Sequence, residues 1–333
     1  MKFSILTEGG RDIGFGHIAR CVALYQGFKE KGITSEILIN GDKDVEYLLK
    51  GIDCSIFNWV SEEEKTFNII KGSSVAIIDS YLADLEFYKK VSRLVKVSAY
   101  LDDYKRLDYP KGIIINGNIY AQKLNYPCKG ENVYLLGTEY VPLRKVFWDV
   151  PQKNIRENLE VVTIIMGGSD RLNITPSILK MLVDKFSKFK KNVIIGRGFE
   201  DMGRIKKNMD RNTVLVHDPD ASDMQRIMLD SDIAISAGGQ TLYELARVGT
   251  PAIGICVAEN QRLNLEYWQK EEFVEYAGLY HDNDLLEKII IAINKFMPYE
   301  KRVAQNKTGR CYVDGRGVRR IIDRVLSTLV KTG

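Results

Sequence analysis

The stretch 2-KFSILTEGGRDIGFGHIARCVALYQGFKEKG-32 decides the fold. Its first part, 2-KFSILTE-8, is an apolar run that reads as a strand. Over 17–32, Ile18, Cys21, Val22 and Tyr25 recur at helical spacing, and Gly32 marks the stop. A glycine-rich turn lies between the two. Such a turn can cradle a phosphate, tighten a loop or hold a base. Gly14 and Gly16 leave the backbone free to approach a ligand. His17 stands in the first turn of the helix, where the dipole opposes positive charge and favours neutral imidazole. A capping histidine behind an ordinary loop explains the same residues equally well. The dinucleotide fingerprint G-x-G-x-x-G is not completed, since Ala19 follows, which argues against a nicotinamide enzyme.

Working outward, short apolar runs keep alternating with amphipathic stretches. Strands are expected at 34–40, 74–80, 96–103, 112–116 and 132–137, with helices at 42–51 and 84–95. The segment 141-VPLRKVFWDVPQKNIREN-158, with two prolines and mixed charge, reads as an interdomain connection. The pattern then restarts. Strands are expected at 160–168, 192–196, 213–217, 232–239 and 251–257, with helices at 176–189, 221–231 and 240–249, and a basic amphipathic helix at 315–331. Alternation of this kind predicts parallel sheets covered on both faces, and ligands beyond the carboxyl ends of their strands.

Composition agrees with two soluble domains: 333 residues, 45% hydrophobic and 28% charged. No apolar run is long enough to span a bilayer, and the N-terminus lacks a signal-peptide pattern. A cytoplasmic protein without stable membrane association is therefore expected. Cys21, Cys54, Cys128, Cys256 and Cys311 are scattered, as are His17, His217 and His281, so neither a disulfide framework nor a metal site is indicated. The net charge of +4 suits small anionic ligands and is too small to argue for nucleic acid.

Further candidates follow strand ends. In 78-IDSYLAD-84, Asp79 and Tyr81 can reach a cleft, or Asp79 can cap the helix near Asp84. The pair in 101-LDDYKR-106 suggests structural hydrogen bonding or cleft polarity. Gly167 and Gly168 in 166-MGGSD-170 suit a pyrophosphate or a hinge. In 236-SAGGQTLYELARVGTP-251, Gly238 and Gly239 precede a helix N-terminus, an anion site made of backbone N–H groups. Glu244, one turn into that helix, can accept two hydrogen bonds from a ribose diol, or can be a solvated helix residue. The Asn260–Gln261 pair after the next strand favours the diol.

Together these segments resemble a known family. The runs 14-GFGHIAR-20, 77-IIDSY-81, 101-LDD-103, 116-NGNIYA-121, 166-MGGSD-170, 236-SAGGQTLYE-244, 259-ENQ-261 and 314-DGRGVRRI-321 are similar, in order, to those of the UDP-2,4-diacetamido-2,4,6-trideoxy-beta-L-altropyranose hydrolases of pseudaminic acid biosynthesis. The resemblance implies the GT-B architecture: two Rossmann-like α/β domains facing across a cleft. It puts an N-terminal domain at 1–148, a UDP-binding domain at 149–311, and a final helix at 312–333 packing back on the first domain. It implies that His17 is the base activating water, that Tyr81 and Asn260 line the sugar site, and that Ser236 to Glu244 hold the UDP. The substrate-binding set expected on this basis is Gly14, Gly16, Arg20, Asp79, Tyr81, Gly167, Gly168, Ser236, Gly238, Gly239, Gln240, Thr241, Glu244, Asn260 and Gln261. No metal and no cofactor are expected. The partner is a UDP-sugar, and the chain is expected to be a monomer.

One departure exists. The segment 236-SAGGQTLYE-244 is closer to the pattern of the glycosyltransferase that builds the peptidoglycan lipid precursor. A UDP-sugar-dependent glycosyltransferase of surface polysaccharide synthesis therefore stays open beside the hydrolase, as does a non-catalytic nucleotide-sugar binder. Spore-coat polysaccharide proteins of the same superfamily are candidate relatives too, which leaves the sugar itself open.

Overall fold

A computed structural model of the chain describes residues 2–332 except 11, 12, 43, 44, 47, 48, 128 and 129. The helix expected over 42–51 and Cys128 thus fall wholly or partly outside the described residues. Two compact units divide the chain: Met1–Trp148 together with Gly315–Gly333, and Asp149–Asp314.

The first unit is built on β1 (Lys2–Gly9), α1 (Gly16–Glu30), β2 (Thr34–Gly41), β3 (Cys54–Ile56), α2 (Glu63–Ile70), β4 (Val75–Asp79), α3 (Leu85–Leu94), β5 (Val97–Leu101), β6 (Ile113–Asn116) and β7 (Val133–Leu136). All neighbours pair in parallel, in the order β3-β2-β1-β4-β5-β6-β7. The central strands are buried along almost their whole length, so they read as continuous apolar runs without alternation. One face of the sheet packs on Trp59, Phe87, Tyr88 and Tyr109. The elements β3 and α2 carry no clear sequence signal; a three-residue strand is too short for any period to appear. The last helix, α11 (Gly317–Thr332), belongs to this unit and packs on α1 at Gly27. A Cβ there would lie 2.2 Å from Ile322 Cδ1 and 2.5 Å from Val318 Cγ1, so only glycine allows this approach.

The second unit contains β8 (Val161–Ile165), α4 (Thr175–Lys185), β9 (Lys190–Ile195), α5 (Met202–Lys207), β10 (Thr213–His217), α6 (Ala221–Asp230), β11 (Ile233–Ala237), α7 (Thr241–Val248), β12 (Ala252–Cys256), α8 (Arg262–Lys270), β13 (Val274–Leu279), α9 (Leu285–Lys295) and α10 (Tyr299–Tyr312). Its sheet is also parallel, in the order β10-β9-β8-β11-β12-β13. The expectations above include no element from α8 to α10, although α9 buries Leu285, Ile289, Ala292 and Ile293 at helical spacing. In α10 the reason is chemical: its buried face is Arg302, Gln305, Asn306 and Gly309, at helical spacing but polar. Arg302 donates to the carbonyls of Phe296 (2.5 Å) and Met297 (2.6 Å), and to those of Arg156 and Glu157 (both 2.8 Å).

Those last two bonds correct the expectation of a single connection over 141–158. Residues 141–148 belong to the first unit, where Trp148 Nε1 donates to the Leu143 carbonyl (2.7 Å). Residues 149–158 are fastened within the second unit. Lys153 Nζ donates to the carbonyls of Met228 (3.0 Å), Leu229 (2.5 Å) and Ser231 (2.5 Å), closing the C-terminal end of α6. Arg310 donates to the Pro151 carbonyl (3.1 Å).

In each sheet the strand order reverses direction at one place, between β1 and β4 in the first unit and between β8 and β11 in the second. Loops leaving the two central strands diverge there and open a crevice at their carboxyl ends. Most of the candidate residues lie at these strand ends, on the loops that leave them, or in the first turns of the helices that follow; Asn260 and Gln261 follow β12.

Candidate active site

In the first unit the chain leaves β1 at Gly9 and closes a small loop. Gly10 donates to the Gly14 carbonyl (3.1 Å) and Gly14 to the Gly10 carbonyl (2.8 Å). Gly14 has φ +89°, a conformation that favours glycine. Helix α1 begins two residues later, with no capping side chain and no acid in its first turn. A Cβ on Gly16 would meet nothing within 4 Å, so the mouth of the helix is open.

His17, only 8% exposed, points from this first turn to the end of β4. Its Nδ1 lies 2.7 Å from Asp79 Oδ1. Arg20, one turn further along α1, engages both oxygens of Asp79, through Nε (2.5 Å to Oδ2) and Nη2 (2.6 Å to Oδ1). It also engages both oxygens of Asp103, through Nη1 (2.8 Å) and Nη2 (3.0 Å). These contacts decide which atom of the His17–Asp79 pair carries the hydrogen. Nη2 also lies 3.0 Å from His17 Nδ1, but its two hydrogens already serve Asp79 and Asp103. The hydrogen between His17 Nδ1 and Asp79 must therefore sit on Nδ1. In the neutral ring the lone pair is then on Nε2, the nitrogen not engaged by Asp79.

The charges of this cluster follow from its burial. Burial alone would push the Asp79 carboxyl up, but the guanidinium of Arg20 and the ring of His17 outweigh it and hold the carboxyl below its ordinary value. Asp103 is likewise held well below its ordinary value, again against burial and chiefly by Arg20. Burial opposes the charge on Arg20, and the two carboxylates more than restore it. Cys21 lies 3.7 Å from Asp79 Oδ2, and burial and that carboxylate push its thiol up, so it is no nucleophile. The expectation that Asp79 caps α3 does not hold: Asp84 caps it, accepting from Phe87 N (2.8 Å).

Tyr81 joins the cluster by donating its hydroxyl to Asp103 Oδ2 and by an edge-to-face contact with His17, ring centroids 4.5 Å apart. Its loop is held by Glu8, which sequence reasoning did not select. Buried at the end of β1, Glu8 accepts from Tyr81 N (2.6 Å) and from the Ser80 hydroxyl. Asp103 was also missed as a site residue. Alternation after β5 sends the two adjacent acids different ways. Asp102 accepts from Arg106 N (3.0 Å) and Tyr126 (2.7 Å), a structural task, while Asp103 turns to Arg20 and accepts from Asn118 Nδ2 (3.0 Å). The doubled acid at a strand end was the available signal; which of the two faces the site was not written in it.

In the second unit, Gly167 (φ +87°) and Gly168 follow β8 and are exposed. Asp170 accepts from Ile174 N (3.1 Å) and Thr175 N (2.7 Å), so an acid of the chain itself occupies the start of α4. Beside this turn, Ser236 ends deep in β11, its hydroxyl donating to the Ala237 carbonyl (3.0 Å). Gly238 is tightly packed: a Cβ would lie 2.7 Å from Leu265. Its N–H donates to Gln261 Oε1 (3.1 Å), and its carbonyl accepts from Asn264 Nδ2 (2.8 Å). Gln261 and the unforeseen Asn264 thus brace the glycine turn, and one N–H expected for an anion is already used. A Cβ on Gly239 would meet only Gln261 Nε2, at 3.9 Å, and Gln240 is the N-cap residue of α7, with no side-chain capping bond to the helix. Thr241 opens α7, and Glu244 lies in its first turn, 5% exposed. Asn260 is exposed on the short turn Glu259–Gln261. Among the described residues no group of three or more His, Cys, Asp or Glu is placed to hold a metal ion, and no helix is long and apolar enough to cross a membrane.

Residues 162–325 match the model of the glycosyltransferase family 28 C-terminal domain. The chain is 26% identical over 280 residues to an uncharacterized protein of Methanocaldococcus jannaschii, covering 79% of this chain and 57% of that one. It is 22% identical over 333 residues to the spore coat polysaccharide biosynthesis protein SpsG of Bacillus subtilis, covering 96% of both. It is 26% identical over 289 residues to the pseudaminic acid cytidylyltransferase and UDP-2,4-diacetamido-2,4,6-trideoxy-beta-L-altropyranose hydrolase of Helicobacter pylori, covering 86% of this chain and 49% of that one. The chain thus spans about half the length of two of these relatives and nearly all of SpsG. Among solved structures, Acinetobacter baumannii MurG superposes with a TM-score of 0.58 at 14% identity, covering 98% of this chain and 100% of that one. S. aureus MnaA, in its UDP co-structure, gives 0.64 at 11% identity, covering 98% and 96%. The resemblance read from the motifs is borne out by the Helicobacter relative, and the two parallel sheets with these neighbours bear out the architecture. The chain therefore has the GT-B architecture, and its residues 162–325 are similar to the glycosyltransferase family 28 C-terminal domain.

Proposed function

We propose that the chain is a UDP-sugar hydrolase that cleaves a UDP-linked 2,4-diacetamido-2,4,6-trideoxyhexose to free sugar and UDP, in nonulosonic (pseudaminic) acid biosynthesis. One observation carries this reading: His17, in the first turn of α1, has its Nδ1 against the Asp79 carboxylate, so that in the neutral ring Nε2 carries the lone pair. Nε2 takes a proton from water. The water oxygen forms a bond to the anomeric carbon, the bond from that carbon to the UDP oxygen breaks, and the electron pair leaves with UDP. The geometry suits the charge change. With neutral His17 the cluster of Asp79, Asp103 and Arg20 carries one net negative charge, which the imidazolium neutralises when it forms. The diphosphate is assigned to the glycine turn of residues 236–241, where backbone N–H groups at the start of α7 stabilise the leaving group without a metal. The name of the Helicobacter relative joins two activities, and this chain covers 49% of it; assigning the hydrolase half to this chain is part of the proposal.

Incubation with a panel of UDP-sugars in buffer is expected to release UDP from at least one of them, equally with and without EDTA. UDP that appears only after a carbohydrate or lipid acceptor is added would favour the second reading, a glycosyltransferase, for which the family 28 match speaks. Activity lost in EDTA and restored by Mg²⁺ would sink metal independence.

Glu244 is assigned to the ribose diol, since it is buried in the first turn of α7 beside that glycine turn. Glu244→Ala is expected to weaken UDP binding by roughly 1.5–3 kcal/mol, the value of a charged hydrogen-bond partner. Calorimetric titration with UDP checks it; wild-type affinity in the variant removes the assignment.

A further inference from the structure

Large apolar side chains exposed in a folded unit are informative when they gather at one place. In the first unit, Ile13 (41% exposed), Leu82 (53%) and Tyr104 (43%) stand on the loops that follow β1, β4 and β5. Those strands are neighbours in the sheet; the loops after β4 and β5 carry Tyr81 and Asp103, and the loop after β1 leads into the first turn of α1 with His17. The exposed apolar groups therefore border the candidate base.

The part of this border on the loops after β4 and β5 is tied down by hydrogen bonds. Besides its bonds to Glu8, the 80–83 loop is tied by the Ser80 hydroxyl, which accepts from Leu82 N and Ala83 N (both 3.0 Å). Tyr88 donates to the Ser80 carbonyl (3.2 Å), and Arg106 donates to that carbonyl (3.2 Å) and to that of Ala83 (2.8 Å). Tyr104 follows Asp103, whose carboxylate is gripped by Arg20, and its ring lies 5.3 Å from that of Tyr81 at 56°. Three rings, His17, Tyr81 and Tyr104, thus form a stepped array leading from the base to solvent. Aromatic surface beside a base, with apolar neighbours, suits the C–H face and methyl groups of a sugar.

We propose that Tyr104 is a specificity-determining residue, its ring packing on the apolar face and methyl substituents of the sugar that UDP carries, with Leu82 at its side. The inference rests on the hydrolase reading of His17 and adds to it a residue that no motif singled out.

The test compares Tyr104→Ala and Tyr104→Phe with wild type, using the UDP-sugar that the panel identifies and His17→Asn as a reference. Because the ring is exposed, its loss should leave folding intact. Tyr104→Ala is expected to raise KM about tenfold, as for a lost apolar contact, with kcat and the inhibition constant of UDP near wild type. Tyr104→Phe should behave as wild type. A KM within twofold of wild type in Tyr104→Ala, while His17→Asn is inactive, overturns the Tyr104 assignment and leaves the hydrolase reading standing. Loss of kcat in both Tyr104 variants also overturns it, since the hydroxyl and not the ring would then be at work. If wild type releases UDP from no UDP-sugar, the hydrolase reading falls and the Tyr104 assignment with it.

Discussion

His17→Asn should lower turnover about 10²–10⁴-fold, the usual contribution of a general base, and leave UDP affinity unchanged. The two effects separate because the proposed base lies in the first unit and the residues assigned to the diphosphate lie in the second. Asparagine cannot offer an imidazole lone pair with its partner hydrogen held by Asp79, so the proton of water has no acceptor in place. Isothermal titration with UDP and a continuous assay of UDP release measure the two effects. The bond broken is read with ¹⁸O-labelled water. Label is expected in the released sugar, sampled before ring opening allows exchange, and none in UDP. Label in the β-phosphate would mean attack at phosphorus, and the role given to His17 would be abandoned.

Arg20→Met is the second large effect, and it falls on stability. The guanidinium is bonded to all four oxygens of Asp79 and Asp103, and Asp79 is fully buried. Removing it leaves two carboxylates without their counter-charge, a change that costs roughly 3–5 kcal/mol in buried pairs. The loss should depend on pH, and its sign can be worked out. In wild type both carboxyls are held below their ordinary value, so the stability they contribute is constant from pH 7 to pH 5 and is lost only as pH falls through the lowered values. In the variant, burial without Arg20 raises the folded-state values, and stability is then lost as pH rises. The gap between wild type and variant should be wider at pH 7 than at pH 5. Denaturant midpoints of the full chain at both pH values measure this, and a gap independent of pH would contradict the account. Arg20→Lys should recover only part of the loss, because one ammonium cannot span four oxygens.

Several things were determined by the sequence alone. Continuous apolar runs separated by glycine turns and helical periods specify two parallel α/β sheets, because a strand buried on both faces needs no alternation. The ordered short motifs, from 14-GFGHIAR-20 to 314-DGRGVRRI-321, carry the resemblance to the UDP-sugar hydrolases. His17, Asp79 and Tyr81 were legible as candidates because each follows a strand end. The tertiary structure decided the rest. Helix α10 escaped because its buried face is polar, and β3 because it is too short for a period. Glu8, Asp103 and Asn264 act on residues 73, 83 and 26 positions away, and no local pattern encodes such distances. The tautomer of His17 is the clearest case. It follows from counting the hydrogens of one guanidinium between two carboxylates at the ends of different strands, and that count exists only once the sheet has brought the ends of β4 and β5 beside the first turn of α1.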